Sequence, residues 1–191
     1  MERRRWMVAI GMAIALGASV AAQRPSSIWT QLANTGEVDE ADLSTYLLHN
    51  TGSVSIKSGV TNATVDIRYS ISANGDYGFQ NPPEEGPNPC IRLKASLRDT
   101  GAEARVVVRL KQMNIASGAM KTLAEIDSNL SGVVSTNYTL SQQCANVPVD
   151  SPFDFRFFTY FVEAQLSKTA ASGNPGLKVV QVCGALACEE F

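Results

Sequence analysis

Alternation with a period of two runs through most of this chain. Val65, Ile67, Tyr69 and Ile71 are separated by Asp66, Arg68 and Ser70. Ile91, Leu93, Ala95 and Leu97 alternate with Arg92, Lys94, Ser96 and Arg98. Ala104, Val106, Val108 and Leu110 share a parity against Arg105, Arg109 and Lys111, and a shorter run sets Val54 and Ile56 among Ser53, Ser55 and Lys57. Successive side chains of a strand point to opposite faces, so each run predicts a strand with one dry side and one wet side. That is the habit of antiparallel sheets. Turn-forming residues separate the runs, at Asp99 with Gly101, at Ser117 with Gly118, and at Asn74 with Gly75. Only residues 38–43 suggest a helical turn. The pattern predicts an all-β chain, an antiparallel two-sheet β-sandwich of about eight to ten strands wound as a jelly roll.

One stretch breaks the rhythm. Residues 153–166 read FDFRFFTYFVEAQL, with aromatics at Phe153, Phe155, Phe157, Phe158, Tyr160 and Phe161. The apolar set is odd-numbered up to Phe157 and even-numbered from Phe158. A one-residue slip exchanges the buried and exposed faces. The slip predicts one long central strand with a β-bulge, or a passage between sheets, at positions 157–158. Phe161 then falls on the polar face beside Thr159 and Glu163, an aromatic free to touch a ligand. Val107 and Leu123 fall on polar faces in the same way. Together the three mark a sheet face through which the protein assembles with itself.

The N-terminus changes the picture from fold to destination. Arg3, Arg4 and Arg5 precede an apolar run from Trp6 to Val20, which ends in small residues up to Ala22. This is the layout of a secretory signal peptide over residues 1–22, cleaved after Ala22. The run is shorter than the roughly 20 residues that span a bilayer. The remaining residues, 23–191, suffice for a single β-sandwich domain. Removing three Arg and one Glu turns 16 basic and 18 acidic residues into 13 and 17, a net charge of −4. That balance offers no electrostatic footprint for nucleic acid. Asp154, Arg156 and Glu163 exclude a transmembrane helix from the aromatic stretch. An outer-membrane β-barrel would need aromatic girdles that the apolar faces lack. The expectation is a secreted or periplasmic protein with no stable membrane insertion after cleavage.

In an oxidising compartment four cysteines read as two disulfides. The favoured pairing joins Cys90 with Cys144 and Cys183 with Cys188. Residues 73–89 form the longest irregular segment and hold Pro82, Pro83, Pro87 and Pro89, which stiffen it. Within it Tyr77 and Phe79 are placed to stack on sugar rings, with Asn74 and Asp76 bonding hydroxyls. Asp76, Glu84 and Glu85 are an alternative set of calcium ligands, although they match no spacing motif, and no cofactor is called for. Catalysis is disfavoured. His49 is the sole histidine, no G-x-S-x-G turn presents a serine, and Glu84 and Glu85 are too close in sequence to flank a glycosidic bond. A small hydrolase therefore ranks low. The leading expectation is an exported, non-catalytic structural or interaction protein that associates with itself. The alternative is a carbohydrate-binding module that recognises an extracellular glycan through Asn74, Asp76, Tyr77, Phe79 and Phe161.

Overall fold

The computed structural model of the chain describes residues 28–72, 90–131, 134–145 and 153–183. The expected signal peptide and the 73–89 segment lie outside these residues. Eleven strands are described, one more than the upper expectation: β1 (Ile28–Leu32), β2 (Glu37–Val38), β3 (Leu47–Asn50), β4 (Ser53–Ile56), β5 (Ala63–Ile71), β6 (Arg92–Asp99), β7 (Ala104–Asn114), β8 (Met120–Asp127), β9 (Ser135–Cys144), β10 (Phe158–Lys168) and β11 (Gly176–Cys183). The helical turn over 38–43 is realised slightly later, as α1 (Glu40–Thr45), because Asp39 caps it by accepting the Ala41 N–H at 2.8 Å. A second short helix, α2 (Ser128–Ser131), follows β8.

The strands form two antiparallel sheets, as the alternation predicts. Sheet A runs β3-β4-β11-β6-β9, with β1 also paired to β11, and sheet B runs β2-β5-β10-β7-β8. The pairings nest. β7 meets β8, β6 meets β9, β5 meets β10, and β4 meets β11. The chain from β4 to β11 is thus one long hairpin rolled onto itself, and each pair further from the tip brings together residues more distant in sequence. The core lies between the sheets. Val65, Ile67, Leu93, Leu97, Leu110, Leu166 and Leu177 are all fully buried there. Each contributes about 1.5–3 kcal/mol relative to an exposed side chain.

The link from β1 in sheet A to β2 in sheet B closes one edge of this core. Tyr69 donates its hydroxyl to the Ala33 carbonyl at 2.8 Å, and its burial holds the phenol above its usual pKa. Gly36 lies so close beneath that an added Cβ would sit 2.3 Å from Ile67 Cγ2 and 2.6 Å from Tyr69 Cε1. Only a residue without a side chain lets the link pass.

Two sequence expectations are corrected. Leu123 is a core residue, 4 % exposed. A register shift places Ala124 opposite Leu110 and Thr122 opposite Lys111, so Leu123 is the extra residue of a β-bulge and its side chain turns inward beside Ala124. The aromatic stretch is not one kinked strand. Residues 155–157 form a turn and β10 starts at Phe158, so the change of parity marks the entry to the strand. Asp154 anchors that turn. Its carbonyl accepts the Phe157 and Phe158 N–H groups, and its own N–H donates to the Tyr160 hydroxyl at 2.9 Å. Phe153 and Phe155 pack edge-on against the Tyr160 ring. From Phe158 onward β10 is the central strand of sheet B, as expected.

Candidate functional site

A sandwich offers two outer faces, and the registers of the ladders place every outward residue on one or the other. On sheet B a single row crosses all five strands in the order Glu37, Arg68, Glu163, Arg109, Glu125. The charges alternate in sign from edge to edge. At its centre the Glu163 carboxylate lies 2.5 Å from Lys111 Nζ, 3.7 Å from Arg109 Nη1 and 3.8 Å from Arg68 Nε. Arg109 Nε also donates to Glu125 Oε2 at 2.6 Å. Two rows away Arg105 holds Asp127 with both ends of its fork, at 3.1 and 2.6 Å. The Arg105 hydrogen bond depresses the Asp127 pKa below the usual carboxylate range, outweighing the opposing effect of burial.

Phe161 belongs to this face. It is half-buried, between Ser70 on β5 and Lys111 on β7. Val107 is on this face too but is only 1 % exposed. With Leu123 in the core, two of the three residues that suggested self-assembly through a sheet face are buried, and that expectation loses its basis.

The outer face of sheet A differs in kind. Its strands carry Arg92, Lys94, Arg98 and Lys178, and their one acid, Asp99, is buried and accepts hydrogen bonds from Ser128 and Gly101. Rows across the face read Thr30, Gln181, Lys94, Gln142 and then Leu32, Val179, Ser96, Leu140. Gln181 donates to the Thr30 hydroxyl at 3.1 Å. Leu32 and Leu140 are 50 and 55 % exposed. Lys94 is buried, which pushes its pKa down, helped by the neighbouring Arg92 charge.

The most built part of this face surrounds Arg98. Its guanidinium lies 5.0 Å from the centroid of the Tyr138 ring, and Nη2 donates to Asn174 Oδ1 at 2.8 Å. Asn174 is itself positioned by its N–H, which donates to the Thr100 hydroxyl. Among the described residues, Arg98 Nε is enclosed without a hydrogen-bond partner. Tyr138 stands on β9, yet its hydroxyl is 2.9 Å from where a Cβ on Gly176 of β11 would be. Those strands are two spacings of about 4.8 Å apart, so the tyrosine lies down across β6. Gly176 permits this, because a side chain there would meet both the phenol and the guanidinium. The result is a tyrosine that reaches from β9 to β11 with a cation over its ring.

The remaining sequence candidates fall elsewhere. Asn74, Asp76, Tyr77, Phe79, Glu84 and Glu85 lie outside the described residues. The chain leaves the described part at Ser72, next to Ile71, which pairs with Tyr160. It returns at Cys90, which is bonded to Cys144 with an S–S length of 2.07 Å. Cys183 is also in a disulfide, and its expected partner Cys188 is outside the described residues. His49 is exposed on β3. Sequence reading missed Tyr138, Arg98 as its stacking partner, and Asn174.

No family model matches the chain, and neither does any curated protein. Among solved structures it is similar to PfGH50B, at 10 % identity over 83 % of this chain and 22 % of that one, with a TM-score of 0.37. This chain therefore spans about a fifth of that protein's length. It is also similar to a family 11 carbohydrate-binding module from Clostridium thermocellum in complex with a beta-1,3-1,4-mixed-linked tetrasaccharide, at 12 % identity over 83 % of this chain and 88 % of that one, TM-score 0.38. A third is TmCBM61 in complex with beta-1,4-galactotriose, at 9 % identity over 83 and 94 % of the two chains, TM-score 0.33.

Proposed function

We propose that this chain is an exported, non-catalytic module that binds a glycan on the outer face of sheet A. The observation that carries this reading is the Tyr138 side chain reaching across β6 to Gly176 with the Arg98 guanidinium over its ring. A sugar ring has an apolar face that stacks on an aromatic and a rim of hydroxyls that needs donors and acceptors. The Tyr138 ring supplies the first. The Nη groups of the Arg98 guanidinium and the Asn174 amide supply the second, with Ser96 two residues along β6. A guanidinium bonds carboxylates as a fork, so acidic sugars fit this site better than neutral ones.

The test is affinity electrophoresis of the exported chain through gels containing neutral and acidic polysaccharides. Retardation in one gel that is lost in Arg98→Ala and Tyr138→Ala but kept in Phe161→Ala is the expected result. Loss in Tyr77→Ala with Phe79→Ala, and not in Arg98→Ala, would move the site to the 73–89 segment. No retardation in any gel would overturn the glycan reading.

A further inference from the structure

Edge strands are normally guarded, because their outward N–H and C=O groups are a template for another strand. Three edge elements here conform. β2 has two residues and β3 four, too short to template much. β8 carries Lys121, Glu125 and Asp127 and is kinked by the bulge at Leu123.

β9 conforms in no respect. Its ten residues, STNYTLSQQC, include no charge, no proline and no glycine. Among the described residues it pairs with β6 alone. It is also open on both faces, since Thr139 and Gln143 on one side and Leu140 and Gln142 on the other are all exposed. With Asn137, Thr139 and Gln143 exposed on its inner side, the strand presents a long uncharged edge.

We propose that β9 is a pairing edge, and that its occupant is the β9 of a second copy of this chain, added antiparallel. The central residue identifies the occupant. An antiparallel pair of identical strands has a two-fold axis, and opposite residues share a face. Centred on Leu140, the axis sets Leu140 against its own copy, Tyr138 against Gln142 and Thr139 against Ser141. The exposed leucine gains an apolar partner, and no like charges are opposed because the strand has none. Sheet A then continues unbroken from one copy into the other.

The test is sedimentation equilibrium of the exported wild-type chain from low micromolar to near-millimolar concentration, together with Leu140→Lys and Leu140→Glu. Wild type is expected to move to twice the monomer mass. Each variant alone opposes like charges on the axis and should remain monomeric. Their equimolar mixture should regain the dimer, which a merely misfolded variant would not do. In parallel, hydrogen exchange of the wild-type β9 amides should slow as concentration rises, a readout needing no variant. A wild-type chain that is monomeric throughout overturns the proposal, even if it takes up an added extended peptide along β9. A Leu140→Lys variant that still dimerises also overturns it.

Discussion

The two outer faces of this sandwich are made by the same alternation, yet one is closed upon itself and the other is open. On sheet B each charged side chain of the central row faces an opposite charge on the next strand, from Glu37 to Glu125. Such a face has less left to offer a ligand, because Arg105, Arg109 and Lys111 already have acceptors. On sheet A the outward cations Arg98 and Lys178 share their strands with no outward acid, leucines stand exposed, and a guanidinium nitrogen is enclosed without a partner. A polar group left unpaired where water cannot reach it is costly. A wet face is therefore not by default a functional one. What matters is whether its polar groups are satisfied within the sheet.

Four experiments test this contrast. The largest effect is expected at Arg98. Losing a charge-assisted contact of about 1.5–3 kcal/mol should lower glycan affinity about 10- to 100-fold in Arg98→Ala, measured by calorimetry. Phe161→Ala should leave affinity unchanged, and equal losses in both would erase the distinction between the faces. Next comes Glu163→Gln, which removes the charge that three cations share. It should cost about 1–2 kcal/mol in urea unfolding while glycan binding persists.

A smaller effect is expected from acid. The Asp127 pKa is depressed chiefly by the Arg105 hydrogen bond, so the stability this pair contributes is complete above the unfolded carboxylate value of about 3.9. It is lost as pH falls through the lower folded value. Thermal unfolding of Arg105→Gln should therefore depend less on pH below about 4 than wild type does. The smallest change is Arg68→Ala. With its side chain 66 % exposed and 3.8 Å from Glu163, it should shift stability by about 0.5 kcal/mol or less.

The fold was legible in the sequence wherever one face of a strand is buried. β5, β6, β7 and the main part of β10 show the alternation that their burial requires. β9 was illegible for the same reason: both of its sides are wet, so no apolar period marks it. The Leu123 bulge reverses one parity without any glycine or proline to announce it. The 153–157 turn mimics a strand because its phenylalanines pack back on Tyr160, and odd spacing in a turn looks like odd spacing in a strand. The candidate site was out of reach for a different reason. Tyr138, Arg98, Asn174 and Gly176 come from β9, β6, the β10–β11 connection and β11, and only the nested pairing brings them together.

The Cys90–Cys144 bond bears on how the molecule would yield under load. It fastens the last residue of β9 to the chain just before β6, beside the Arg92–Cys144 pair of the same ladder. A seam riveted at one end can be peeled only from the other. Mechanical or thermal fraying of β9 must then start at Ser135, where the register against Asp99 is already irregular, and travel toward the rivet. The bond also withholds the loop it closes, a sequence separation of 54, from extension, so a chain pulled by its ends would release its full contour length only after reduction.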